Sequence, residues 1–209
     1  GAPVNDIVAL CHPRGITVIE DCAQAYLTVP PGSTTFAGTR GDIGCFSLQQ
    51  SKHLSAGDGG LSVTADADLG ERMALYADKG WARRSAQRTH RFLGLNYRMT
   101  ELTGAVARVQ LTRLANVVAA RRSVARRLTR ALIDLPGLQL PSTVDSHSFW
   151  QFPMLLNPEL VGVSNDEYSE ALTAEGIPAS AGYLDRPAYL QPALVERRTY
   201  GHSGFPIED

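Results

Sequence analysis

Residues 17–21, Thr-Val-Ile-Glu-Asp, are the stretch that most narrows what this chain can fold into. A short apolar run ending in carboxylates is the pattern of a strand buried in a parallel sheet, and Ile16, Val18 and Ile19 supply its apolar part. Just before it, Val4 to Leu10 has the pattern of a helix end, and His12-Pro13-Arg14-Gly15 stops that helix. A helix feeding a buried strand is half of a parallel crossover unit. Further on, Gly41 to Gln49 and Gly60 to Thr64 read as strands. Asp66 to Asp78 reads as a helix with Leu69, Met73 and Tyr76 on one face and Gly80 marking its end. This order fits an α/β fold with a mixed or mostly parallel sheet covered by helices.

Ligands gather beyond the carboxyl ends of parallel strands, and Asp21 stands at such an end. The run GDIGCFSLQQSKHLSAGDGG, Gly41 to Gly60, then presents Lys52 between a strand and a glycine-rich turn. Taken singly, a lysine beside glycine is a solvated turn residue and an aspartate closing a strand is a turn or cap residue. Together they are the groups that pyridoxal phosphate chemistry requires: a lysine to form an imine and an acid to hold a protonated ring nitrogen.

The composition, 44% hydrophobic and 20% charged over 209 residues, is that of a chain able to bury a sizeable core. A formal net charge of -1 provides no general attraction to nucleic acid or anionic membrane. Cys11, Cys22 and Cys45 are odd in number and widely spaced, which argues against a disulfide framework and a four-ligand zinc site. No apolar run approaches the roughly 20 residues that span a bilayer, and no charged-then-apolar leader opens the chain. The expectation is a cytoplasmic protein without nucleic-acid, membrane or metal partners.

From Thr100, a plausible cap, the pattern is helical, with Leu102, Val106 and Val109 spaced to face a core. Its continuation carries Val124, Leu128 and Leu132 on one side and Arg122, Arg126 and Arg130 on the other. Five arginines between Arg121 and Arg130 read as the solvated face of an amphipathic helix, because no aromatic residues are interleaved. Near Leu135-Pro136-Gly137 a smaller domain would begin. In it Phe149 to Leu156 is strand-like, and Ser164-Asn165-Asp166-Glu167 is a capping box opening a helix that ends at Gly176. Between Trp81 and Arg98 lie Arg83, Arg84, Arg88, His90 and Arg91. That cluster suits an anionic group such as a nucleotide diphosphate, although its more ordinary reading is a solvated loop.

Three blocks, Ile19 to Ala25 (IEDCAQA), Gly41 to Gly60, and Leu93 to Leu114 (LGLNYRMTELTGAVARVQLTRL), resemble consecutive motifs of the DegT/DnrJ/EryC1/StrS sugar aminotransferases. HSFWQFPMLL and GYLDRPAYLQPAL resemble the family more loosely. The resemblance implies part of a fold type I large domain over residues 1–115, then an interdomain helix and an incomplete small α+β domain over 116–209. It implies pyridoxal phosphate as cofactor, and transfer of an amino group from glutamate or glutamine to a keto sugar, nucleotide-linked or not, or a keto cyclitol.

Position by position, Lys52 matches the lysine that holds the cofactor as an internal aldimine and then moves protons. Asp21 matches the acid on the pyridine nitrogen, Gln24 the partner of the phenolic oxygen, and Ser47 a hydroxyl donor to the phosphate. Asn96 matches a phosphate contact supplied by the neighbouring subunit, which implies a homodimer with shared sites. Gln49 and Gln50 read as substrate contacts or as solvated strand-end residues. Members that dehydrate sugars lack the lysine, and Lys52 is present. Members also carry a long N-terminal portion and continue beyond Gly204-Phe205-Pro206-Ile207-Glu208-Asp209. The expectation is therefore a fragment with exposed apolar edges, and the rival reading is a noncatalytic remnant that needs a partner to fold.

Overall fold

The computed structural model describes residues 2–30, 32–83, 85–142, 145–184, 186–198 and 201. They form two compact units, one of residues 1–134 with 140–154 and one of 135–139 with 155–209.

The first unit begins with helix α1, Val4–Cys11, followed by a 3₁₀ turn over His12–Arg14. Pro13 lies within that tighter turn and Gly15 closes it at φ 67°, its N–H bonded to His12 O. Strand β1, Ile19–Asp21, runs parallel to β2, Ile43–Ser47, with Asp21 opposite Cys45. Strand β3, Gly60–Val63, pairs antiparallel with β2, so the sheet has the order β1-β2-β3 and is mixed.

Its register depends on one glycine. A Cβ on Gly44 would stand 2.1 Å from Gly38 O, so only a residue without a side chain lets 38–41 lie against the strand pair. That backbone brings three N–H groups, of Gly38, Arg40 and Gly41, to the buried Glu20 carboxylate at 2.8, 2.7 and 2.8 Å.

Helix α2, Ala67–Ala77, is capped by Asp66, whose side chain accepts from Leu69 N. Helix α3, Glu101–Leu132, is capped by Thr100 accepting from Thr103 N, as its sequence predicts. Ala107, Leu114, Val118 and Ala125 form the buried stripe of α3. Ala107, Leu114 and Val118 pack with Tyr26, Leu48 and Leu54, which follow the ends of β1 and β2.

The expected core face of α3 is therefore wrong. Leu102, Val106 and Val109 are 83%, 47% and 51% exposed. Each helical residue turns the chain by about 100°, and small alanines on another stripe permit the closer approach to the loops.

The arginine face is corrected in part: Arg127 and Arg130 are exposed as expected, but Arg121 and Arg122 are docked. Arg121 donates to Phe149 O and Trp150 O at 2.9 and 3.1 Å. Arg122 donates to His147 O at 2.9 Å and Leu27 O at 2.8 Å. These arginines hold the 146–150 segment, while Val124 and Leu128 on the supposed core side are exposed. The expected strand from Phe149 is also shorter, because Phe149 takes φ 50° and only Leu155–Leu156 pairs.

The second unit contains β4, Leu138–Gln139, antiparallel to β5, Leu155–Leu156. Helices α4, Pro158–Val161, α5, Asn165–Ala174, and α6, Pro192–Val195, follow. Ser164 and Glu167 form the predicted capping box on α5. Among the described residues no helix is long and apolar enough to cross a membrane. The segment 204–209, Arg84 in the arginine loop and Asp185 in GYLDRPAYLQPAL lie outside the described residues.

Candidate active site

Because β1 and β2 are parallel, Asp21 and Ser47 finish at the same end of the sheet. Cys22 N continues the ladder to Cys45 O at 2.8 Å. One oxygen of the exposed Asp21 carboxylate accepts from Ala23 N at 3.0 Å, a local turn that orients the acid. Gln24 lies in the following turn, and its main-chain oxygen accepts from Ser148 Oγ at 3.1 Å. The Ser47 hydroxyl accepts from Gln49 N at 3.2 Å, and its carbonyl accepts from Tyr26 Oη at 2.9 Å. Burial pushes the Tyr26 phenol up to about 12, so it remains a donor to Ser47 O at neutral pH.

Beyond β2, residues 49–52 make a tight turn. Lys52 N bonds to Gln49 O at 2.9 Å. The Gln49 side-chain oxygen is occupied by Ser51 N and Ser51 Oγ, at 2.8 and 2.6 Å. Gln49 is thus bound up in the turn that presents Lys52.

The half-buried Lys52 places Nζ 4.2 Å from the centroid of the Trp150 ring, and Trp150 Nε1 donates to Ser51 O at 2.9 Å. Trp150 is fixed in turn by its neighbours. Ser148 is fully buried, accepts from Thr28 Oγ1 at 3.0 Å and donates to Gln24 O. His53 Nε2 donates to Ser148 O at 3.0 Å, which assigns its proton to that nitrogen and leaves Nδ1 without a partner. Burial lowers the His53 imidazole to about 4, so the neutral ring is the native form. Trp150 is not among the residues the sequence singles out, because only the fold brings it across 99 positions to the lysine turn.

Asn96 is held by a different set of groups. It is exposed, bridges to Asp78, and accepts from Arg98 Nε at 3.0 Å. Asp78 is buried and gathers Lys79 at 3.3 Å, Arg98 at 3.2 Å, and Arg83 through a two-pronged contact. The Arg83 hydrogen bond is the main cause that draws the Asp78 carboxyl down to about 2. Beside it lies a cavity of about 530 Å³ lined by Lys79, Trp81, Arg83, Arg88 and His90. The arginine cluster is thus a built cleft. Arg91 takes a separate ion pair with Glu71 at 3.4 Å. No cluster of His, Cys, Asp and Glu suited to a metal ion occurs among the described residues.

Comparison with known proteins agrees with this architecture. A UDP-N-acetyl-3-dehydro-alpha-D-glucosamine 3-aminotransferase from Acidithiobacillus ferrooxidans is 38% identical over 200 residues, covering 94% of this chain and 50% of that protein. An L-glutamine:2-deoxy-scyllo-inosose aminotransferase from Streptomyces kanamyceticus is 37% identical over 203 residues, covering 90% of this chain and 47% of that protein. The crystal structure of a DegT DnrJ EryC1 StrS aminotransferase from Brucella abortus superposes with a TM-score of 0.78 at 27% identity, over 93% of this chain and 50% of that one. The chain spans about half the length of the relatives it matches. With the family pattern matched over residues 1–208, the chain belongs to the DegT/DnrJ/EryC1/StrS aminotransferase family.

Proposed function

We propose that this chain carries the cofactor-binding strand ends of a pyridoxal phosphate-dependent aminotransferase that moves an amino group from glutamate or glutamine to a keto sugar or keto cyclitol. One observation carries the reading: an oriented carboxylate, a hydroxyl and an amine, on Asp21, Ser47 and Lys52, follow the ends of two parallel strands in a chain of this family. That donor set fits pyridoxal phosphate, which when bound supplies an electron-accepting ring through which an amino group is exchanged.

The protein's own contribution is binding and proton movement. Asp21 would hold the ring nitrogen, Gln24 the phenolic oxygen and Ser47 the phosphate, while Lys52 would hold the cofactor covalently and carry protons at Nζ. Asn96 completes a phosphate site from a second copy, which makes the working unit a homodimer. The domain division at residue 115, with the interdomain helix and small domain after it, belongs to the same reading. Three free cysteines, Cys11, Cys22 and Cys45, support a reducing, cytoplasmic setting.

The test is the donor half-reaction. Glutamate or glutamine, added to the cofactor-loaded protein without acceptor, bleaches the visible band and releases 2-oxo acid or its amide in stoichiometric amount. Exposed apolar groups such as Ile19, at 62%, support a second reading for the chain alone, in which it is inert until another polypeptide covers them. The assay then turns positive only on co-expression with the N-terminal half of a relative. Silence in both formats overturns the aminotransferase reading.

A further inference from the structure

Residues 146–150 touch both turns that carry the candidate site. On the acid side, Val29 N donates to Ser146 O at 2.9 Å and Ser148 Oγ donates to Gln24 O at 3.1 Å. On the lysine side, His53 Nε2 donates to Ser148 O at 3.0 Å, Trp150 Nε1 donates to Ser51 O at 2.9 Å, and the Trp150 ring lies over Lys52 Nζ. Ser51 and His53 are the two sequence neighbours of the lysine. The backbone that aims the indole is strained. Phe149 stands at φ 50°, in the left-handed region that suits glycine, with its ring buried. Such a conformation persists only where its surroundings over-determine it, and it gathers at functional sites. Arg121 supplies the constraint: its Nη1 donates to both Phe149 O and Trp150 O, at 2.9 and 3.1 Å. Those carbonyls belong to the peptides before and after Trp150, so a charged, planar fork fixes the direction in which the indole leaves the chain. Arg121 is itself well anchored, because the buried Val118 and Ala125 of α3 stand one turn away on either side.

We propose that Arg121 is a positioning residue for Lys52, acting from helix α3 through the strained Phe149–Trp150 backbone, so that the helix sets how the lysine is covered and presented. This role rests on the cofactor reading of Lys52 above and extends it to a residue that touches neither cofactor nor lysine.

The test needs neither cofactor nor turnover. Lys52 and Lys79 are the two lysines of the chain, and Lys79 is held in a different loop by Asp78 at 3.3 Å, which makes it an internal reference. The cofactor-free full chain is acetylated briefly with a trace of acetic anhydride, and both sites are quantified by peptide mass spectrometry. Trp150→Ala uncovers the amine and raises the Lys52-to-Lys79 ratio about two- to fivefold. Arg121→Met gives the same rise, and the double variant rises no further, because the second change acts on a contact already lost. Arg121→Lys, which keeps the charge and loses the fork, falls between wild type and Arg121→Met, and its rise over wild type decides the question where Arg121→Met does not fold. The proposal is overturned if either Trp150→Ala or the Arg121 variants leave the ratio unchanged, if Lys52 and Lys79 change together, or if the two effects multiply in the double variant. Borohydride-fixed pyridoxal phosphate, scored on the same preparations, separates the two readings. Label at Lys52 with an unchanged acetylation ratio sinks the Arg121 role alone, and the expected ratios without label sink the cofactor assignment alone.

Discussion

Lys52 Nζ lies 4.2 Å from the centre of the Trp150 ring, and the same indole donates to the carbonyl of Ser51, one residue before the lysine. Trp150 therefore grips both the side chain and the turn that delivers it. A cation over an aromatic face at a partly exposed site contributes about 0.5–1 kcal/mol. Trp150→Ala should lower the yield of borohydride-fixed cofactor on Lys52 roughly two- to fivefold. Trp150→Phe, which retains a ring and loses the Ser51 bond, should fall between. Equal labelling in all three proteins would remove Trp150 from the positioning of Lys52.

Glu20, next to the candidate cofactor acid, serves the fold. Its buried carboxylate accepts from the N–H groups of Gly38, Arg40 and Gly41. Glu20→Ala should cost about 3 kcal/mol, because it leaves these donors unpaired beside the sheet. Urea unfolding measures the loss. A change below about 0.5 kcal/mol would mean that water replaces the carboxylate without penalty.

Acid should loosen the 78–98 loop at a defined pH. Asp78 is held at about 2 against an ordinary 3.8, chiefly by its hydrogen bond from Arg83. A depressed carboxyl contributes stability that is fully present above its ordinary value and is lost as pH falls toward the native one. The difference in melting temperature between wild type and Asp78→Asn should therefore shrink from about pH 4 to about pH 2. A constant difference over that window would contradict the assignment.

A second window belongs to His53. Its imidazole is neutral in the fold, at about 4 against an ordinary 6.5, mainly because it is buried. The unfolded chain binds the extra proton between those values, so stability falls as pH drops from 6.5 toward 4. Burial also depresses His147, which adds a slope of the same sign. Melting curves of His53→Gln should flatten over this range and those of His53→Gln with His147→Gln should flatten further. Unchanged slopes would show that neither ring titrates on unfolding.

Much of the local structure was legible in the sequence because its causes are local. The Pro13 and Gly15 stop, the Thr100 cap and the Ser164-Glu167 box act within three or four residues, and each appears as read. Asp21 lies at a strand end as read, whereas the second strand, read as Gly41 to Gln49, stops at Ser47. What escaped depends on distant partners. Arg121 and Arg122 look solvated until residues 146–150 arrive with their carbonyls. Trp150 becomes a partner of Lys52 only through that docking. The buried stripe of α3 includes two alanines, Ala107 and Ala125, whose small size favours close packing yet gives little periodic signal beside Leu102 and Val106.

The most direct measurement is the position of the covalent adduct. Protein incubated with pyridoxal phosphate, reduced with borohydride and digested should show one predominant modified peptide, labelled at Lys52, and Lys52→Met should lose both that peptide and the visible absorption. Label spread over several lysines, or an absorption band undiminished in Lys52→Met, would contradict the account.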